Sequence, residues 1–299
     1  MSYSVVIPTV GRPNLDVLID ALVAGTGPDP CEIIVVDDRE TRLGPAAARN
    51  TGWREARGDW VAFVDDDVVL APDWKERLWA DIEGLPDDVG ASQARIVVPL
   101  PEDRRPTDAE RGTAGLASAH WITADMAYRR EALARAGGFD ERFPRAYRED
   151  AELALRVQDR GYRIVRGARV TTHPVKPATF LTSVRDQRGN ADDALMRRLA
   201  GSRWRSRIGG APGRLRSHAI TTAAGLLAVL CGALRWRRVA GALALVWAGR
   251  TAWFAAERIA PGPRTAGEVV RMAVTSAVIP LVACWHRLRG EVRHRKARP

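Results

Sequence analysis

Trp60-Val61-Ala62-Phe63-Val64-Asp65-Asp66-Asp67 runs from five apolar residues directly into three carboxylates. The apolar part is β-branched and aromatic and too short for a helix, so it reads as a buried strand of a parallel sheet. Three like charges at a strand end raise one another's pKa unless a cation sits among them. Strand alternation would put Asp65 and Asp67 on one side and Asp66 on the other. Two carboxylates on one side suit a hard divalent cation that also holds phosphate oxygens. A solvated Asp-rich turn is the rival reading, and the neighbouring segments decide between the two.

Upstream, Ser4 to Ile7 forms a first strand ended by Pro8, followed by a loop of Thr9, Val10, Gly11 and Arg12. Pro13 suits a helix start, and Leu15, Leu18, Ile19 and Leu22 give that helix an apolar stripe. Glu32 to Asp38 is a second strand that ends in carboxylates. Strand, helix, strand implies a right-handed parallel βαβ unit. Pro45 and the alanines after it predict a helix whose amino end, with Arg49, would favour an anion such as a diphosphate. A packing helix with small residues for close approach remains open for the same stretch.

Downstream, the pattern predicts a helix over 72–83 and strands over 91–98 and 121–128, the last opening on Trp121 and holding Asp125. The proline-punctuated, charged stretch 99–106 reads as a mobile loop. A short helix over 130–136 closes at Gly137-Gly138, and a longer one runs over 149–160, with Glu149 and Asp150 in its first turn. Two short strands over 163–165 and 169–172 lead to His173, a candidate metal ligand or a structural histidine.

Length and hydrophobic content, 299 residues and 46%, allow one large or two modest cores. The net charge of +10 is unevenly placed: from Arg197 onward there are 20 Lys/Arg and 3 acids, so the first 196 residues sum to −7. An acidic body with a basic tail suits an anionic partner. Cys31, Cys231 and Cys284 fit neither a disulfide framework nor a metal spacing, which agrees with a reducing compartment. The amino-terminal stretch reads as a strand, not a signal peptide.

Residues 179–216 read as a basic helical linker and 217–299 as an apolar and basic helical tail, after an α/β domain over 1–178. The apolar runs 219–234, 239–256 and 272–285 fall short of a clean span of about 20 residues, because of charge, Arg250 and Pro280. Arg235, Arg237 and Arg238 would also land outside if the first run crossed. The reading is helices that lie in or dip into an anionic inner leaflet, with five of the ten tryptophans beyond residue 200. A spanning hairpin is the second choice, and a soluble helical domain packing on the enzyme or on a second copy (a homodimer) the third. Nucleic acid is not expected as a partner, since a nucleic-acid arm has no need of long apolar runs.

Taken in order, Ser4 to Thr9, Glu32 to Asp38, Ala48-Arg49-Asn50, Phe63 to Asp67, Gly137 to Glu141 and Glu149-Asp150 resemble family 2 glycosyltransferases of the GT-A fold. The resemblance covers about the first 175 residues. It implies a mostly parallel sheet with helices on both faces, a nucleotide-diphosphate-sugar donor, a Mg²⁺ or Mn²⁺ ion and inversion at the anomeric carbon. It places Pro8 and Thr9 at the nucleotide pocket, Asp37 or Asp38 on base or ribose, and Arg49, Asn50 and Asp66 on the nucleotide-sugar side. Asp65 would lie near ribose or metal, Asp67 on the metal with His173, and Asp150 would be the catalytic base. Trp121, Asp125 and Glu149 are acceptor-side candidates; Asp125 stands where many relatives carry Asn. A hydroxyl acceptor, lipid-linked or of the cell envelope, at the cytoplasmic face of the cell membrane completes the expectation. A polyprenyl-phosphate sugar synthase and a non-catalytic scaffold that keeps the fold are the alternatives.

Overall fold

The computed structural model describes residues 1–298. In chain order the elements are β1 (Tyr3–Thr9), α1 (Asn14–Ala24), β2 (Glu32–Asp37), α2 (Pro45–Glu55), β3 (Trp60–Val64), β4 (Val69–Leu70), α3 (Trp74–Ile82), β5 (Val89–Val97) and α4 (Asp108–Ala114). There follow β6 (Asp125–Arg129), α5 (Arg130–Ala136), α6 (Glu149–Asp159), β7 (Arg163–Thr172), α7 (Thr182–Arg185), α8 (Gly189–Ala200) and α9 (Trp204–Arg207). The chain ends in α10 (Leu215–Ala233), α11 (Arg237–Ile259) and α12 (Ala266–Arg293).

Two compact units result. The first comprises residues 1–99, 114–175 and 206–210; the second comprises 100–113, 176–205 and 211–299. The division differs from a single cut near residue 178, because the stretch after β5 belongs with the helices.

In the first unit seven strands form one sheet in the order β2-β1-β3-β6-β5-β7-β4. β1 pairs in parallel with β2 and β3, and β5 with β7, while β6 runs antiparallel between β3 and β5 and β4 antiparallel to β7. Most strands therefore share one direction, as expected. The strand period of two sorts β3 between two cores. Trp60, Ala62 and Val64 join Leu18, Leu22, Trp74 and Leu78 on one face; Val61 and Phe63 join Met126, Tyr128, Phe139 and Leu153 on the other. All five β3 residues are buried, which is why the segment alternates in packing but not in polarity.

Several expected boundaries move. The segment at Trp121 is not strand: Trp121 takes φ +64°, and β6 begins at Asp125. The two short strands expected after Gly161 are one, β7, with register irregularities against β5. The three tail helices are longer than their apolar runs, at 19, 23 and 28 residues, and α12 continues through Pro280. By length and composition all three could cross a membrane, which removes the objection from short length.

Candidate active site

β1, β2 and β3 end side by side, since β1 lies between the other two, and the loops after them hold most of the expected site. β3 stops at Val64, and Asp65 opens a turn closed by the Val68 amide on the Asp65 carbonyl. The alternation expected for three strand residues therefore does not apply. Asp65 turns to Arg49, whereas Asp66 and Asp67 both meet Arg12.

Asp66 is 2% exposed and accepts from Thr9 Oγ1 at 2.6 Å and Arg12 Nη1 at 2.5 Å. It ties the loop after β1 to the end of β3, and Thr9 is engaged in the same tie. The structure thus places Asp66, expected on the nucleotide-sugar side, in an internal tie. Arg12 joins the site unannounced by any motif, and its guanidinium also reaches Asp67 Oδ2 at 2.8 Å. Its only signal was a basic residue in the loop after the first strand.

Asp38 accepts from Thr41 Oγ1 at 2.5 Å and from the amides of Leu43 and Gly44 at 2.8 Å. Burial pushes its carboxyl up, but these donors outweigh it and leave the pKa below the usual range. Asp38 thus shapes the loop that enters α2. Asp37 is exposed and holds Arg39 beside it. An open pocket of about 580 Å³ is lined by Val10, Asp38, Arg39, Arg42, Gly44, Pro45 and Pro144. Pro8 sits in β1, paired with Val36 of β2.

Arg49 is 1% exposed and lies in the first half of α2. Nη1 donates to Glu149 Oε1 and Nη2 to Asp65 Oδ1, both at 2.8 Å, with the Phe139 ring 5.5 Å from its Cζ. It holds the start of α6 to the end of β3, so the structure places it between carboxylates rather than at an open surface. Asn50 is likewise held inside. It donates to the Phe139 carbonyl and Glu141 and accepts from the Phe139 amide and Trp53 Nε1. Gly138 makes this fit possible: its φ is +74°, and a Cβ there would lie 2.5 Å from Asn50 Oδ1.

Arg148, at φ +81°, aims the first turn of α6. Glu149 is 1% exposed, and burial together with neighbouring Asp150 raises its pKa to about 8 against the pull of Arg49. Asp150 is half-buried; desolvation raises its pKa, with Asp65 adding to the rise and the Ala151 amide opposing it. Glu149 Oε2, Arg49 Nε and the Tyr128 hydroxyl are buried without hydrogen-bond partners. Burial and the charge of Asp150 also raise the Tyr128 pKa. Such a concentration of unmet polar atoms marks a built site rather than a packing accident. Tyr128 had no sequence signal, because a tyrosine in a strand reads as core.

His173 follows β7 and is 5% exposed. Its Nδ1 lies 3.0 Å from the Pro174 carbonyl, which can only accept, so Nδ1 carries the hydrogen. In the neutral ring Nε2 then presents its lone pair toward Asp67 Oδ1, 3.7 Å away. An imidazole nitrogen and a carboxylate oxygen facing each other, with the ring fixed from behind, fit a Mg²⁺ or Mn²⁺ ion as two of its ligands. Among the described residues no three His, Cys, Asp or Glu side chains converge on one point. Asp65 is engaged by Arg49 instead.

Asp125 is not at the site. It is 0% exposed, and accepts from Arg169 Nε at 2.8 Å, Trp74 Nε1 at 2.6 Å and Thr171 Oγ1. Its place at the start of β6, opposite Val64, turns it toward the α3 face of the sheet. The structure thus places Asp125, expected on the acceptor side, in a buried clasp. Trp121 is half-buried beside the other core, with Nε1 unpaired and its amide on Gln93.

Residues 39–143 match the profile of glycosyl transferase family 2. An uncharacterized glycosyltransferase of Haemophilus influenzae is 30% identical over 105 residues, 28% of this chain and 35% of the relative. The pre-mycofactocin glycosyltransferase of Mycobacterium tuberculosis is 30% identical over 148 residues, 45% of this chain and 30% of the relative. The chain thus spans about a third of the length of the curated relatives it matches. Among solved structures, a mannosyltransferase of Pyrobaculum calidifontis in complex with GDP-Man and Mn²⁺ superposes with a TM-score of 0.54 at 19% identity, over 96% of this chain and 86% of that one. The resemblance to family 2 glycosyltransferases and the GT-A fold are borne out.

Proposed function

We propose that the protein transfers a sugar, with inversion, from a nucleotide-diphosphate-sugar to a hydroxyl of a lipid-linked or cell-envelope acceptor. The observation that carries this reading is the Glu149-Asp150 pair, two carboxyls of raised pKa held at a helix start beside the Asp65–Asp67 turn. A hydroxyl is a poor nucleophile, and a carboxylate with a raised pKa is a better base for its proton. Asp150, the more open of the two, takes that proton. Arg49 and Glu149 position it: Arg49 fixes Glu149 at the start of α6, and burial of Asp150, with Asp65 nearby, keeps that carboxyl basic. Tyr128, whose buried hydroxyl has no partner among the described residues and feels the charge of Asp150, is a further group of this site.

The donor's nucleoside fits the pocket bounded by Val10, Asp38 and Pro45, with Asp37 at its rim and Arg12 free to turn from Asp66 and Asp67 toward the diphosphate. Asp67 and His173 would hold the divalent ion, which when bound offsets negative charge on the departing nucleoside diphosphate. The mannosyltransferase of similar fold was solved with such a donor and Mn²⁺, which supports the donor class. The long apolar helices support work at a membrane, on its cytoplasmic face where nucleotide-sugars are found.

The test is Asp150→Asn. Transfer should fall by at least 10²-fold, the scale of a lost general base. The thermal shift given by a nucleoside diphosphate with Mn²⁺ should stay. Near-normal turnover by the variant would reject Asp150 as the base and point to the phosphate acceptor.

A further inference from the structure

If the helical unit meets a membrane as proposed above, its three long helices need not meet it in the same way. Only 22% and 6% of the most apolar windows of α10 and α11 are buried, against 39% for α12. α12 has two unlike faces. Val270, Val274, Val278, Leu281, Trp285 and Leu288 recur at intervals of three and four, 40–62% exposed, and form one outward stripe about 27 Å long.

The opposite face is buried and mixed: Met272, Ile279 and Ala283 pack inward, and polar groups between them are hydrogen-bonded. Thr275 and Ser276, both 0% exposed, accept from Arg258 Nη1 at 2.9 and 3.0 Å. The other arm of that guanidinium donates to Asp108 at 2.7 Å and Ser183 at 2.9 Å. Near the start of α12, Glu268 Oε1 accepts from the Asp108 amide at 2.9 Å. Near its end, Arg198 donates to Glu291 at 3.0 Å, and Gly290 lies so near α8 that a Cβ would come within 2.6 Å of the Ala191 carbonyl. Start, middle and end of α12 are thus fastened to the charged segments 100–113 and 176–205.

A helix crossing a bilayer could not take those segments with it, because their ionised and backbone groups would enter hydrocarbon. A helix fastened along its inner side to charged segments and apolar outward has one other use for its stripe. We infer that α12 lies in the plane of the membrane, its stripe sunk to the boundary of headgroups and acyl chains. Arg289 and Arg293 on the same helix, and Arg295 and Lys296 beyond it, are exposed and then sit among anionic headgroups. The partner is an anionic lipid surface, and the carboxyl-terminal end stays on the side of segments 100–113 and 176–205.

Depth along the helix tests this. In the full chain, with Cys31→Ser, Cys231→Ala and Cys284→Ala, nitroxides are placed singly through Val270→Cys, Leu281→Cys and Leu288→Cys. The protein is bound to vesicles of phosphatidylglycerol and phosphatidylethanolamine, and depth is read from collisions with oxygen and with a nickel chelate. All three labels should report one shallow depth, about 5–10 Å below the headgroup boundary. A midplane depth at Leu281 with Val270 near the surface would mean that α12 crosses and would overturn the inference. Spin–spin broadening without flotation on vesicles would show a second copy on the stripe and overturn it also. If none of the proteins floats and all labels stay in water, the membrane reading itself fails, a result distinct from either. A separate check uses sealed inverted vesicles and a membrane-impermeant maleimide. Lys296→Cys and the native, exposed Cys31 should react from the same side; reaction from opposite sides overturns the inference.

Discussion

Asp125→Asn separates two roles for one carboxylate, an acceptor contact or an internal clasp. The wild-type side chain is 0% exposed, and Arg169, also 0% exposed, faces it at 2.8 Å. In the variant, an amide oxygen can still accept from Trp74 and Thr171. The new NH₂ must then face the guanidinium, donor against donor, with half of the charge compensation gone. Removing one partner of a buried pair costs about 3–5 kcal/mol. Arg169 keeps Asp81 at 2.9 Å and Ser92 at 2.7 and 3.0 Å, which favours the low end. A loss of about 3 kcal/mol corresponds to a fall in Tm of roughly 6–12 °C for a chain of this size. Urea and thermal denaturation measure it, with kcat/KM taken well below the variant's Tm. The double variant Asp125→Leu, Arg169→Met should not recover the loss, since it leaves the buried Asp81 side chain without its cation and Trp74 Nε1 and Thr171 Oγ1 without their acceptor. An unchanged Tm together with a large fall in kcat/KM would refute the clasp and return Asp125 to the acceptor.

The Glu149 pKa is raised from 4.5 to about 8 in the folded protein, so the folded state holds the extra proton across that window. Stability from this group is present at low pH and is lost as pH rises through the window. Glu149→Gln should therefore lose less Tm between pH 5 and pH 8 than the wild type, and parallel curves would contradict the burial of that charge. Because Asp150 is raised too, kcat/KM should climb with pH through a midpoint above the ordinary aspartate range, near 3.8; a midpoint at or below that value would count against Asp150 as base. His173→Ala should weaken the Mn²⁺-dependent part of the nucleoside diphosphate thermal shift, with Mn²⁺ affinity down about 10-fold or more; equal titrations would remove His173 from the site. Gly138→Ala should cost about 2–3 kcal/mol by denaturant titration, from a left-handed backbone and a Cβ 2.5 Å from Asn50 Oδ1; wild-type stability would show that the loop shifts freely.

Much of the fold could be read from periodicity, because periodicity is what burial on a sheet requires. The apolar run before Asp65, the stripe from Leu15 to Leu22 and the helix from Arg130 to Ala136 lie where the pattern placed them. The misreadings share a cause. Trp121 looked like strand because its neighbours are apolar, but its positive φ is set by the loop it closes on Gln93. The tail helices looked short because charge was counted against them. Arg250 is accommodated by Ser217 and Thr221 across the helix pair, and Pro280 lies buried in α12.

The sequence by itself determined the parallel α/β core, the acids at the strand ends and the charge division between body and tail, since these follow from residue type and local spacing. It could not divide those acids by task. Asp65, Asp66, Asp67 and Asp125 are the same side chain, and only their partners distinguish them. Arg49 and Glu149 are 100 positions apart in the chain and 2.8 Å apart in the fold. Whether a carboxylate is a clasp, a ligand or a base depends on which donors reach it and how much water is left beside it. Those are properties of tertiary contact, and no local pattern encodes them.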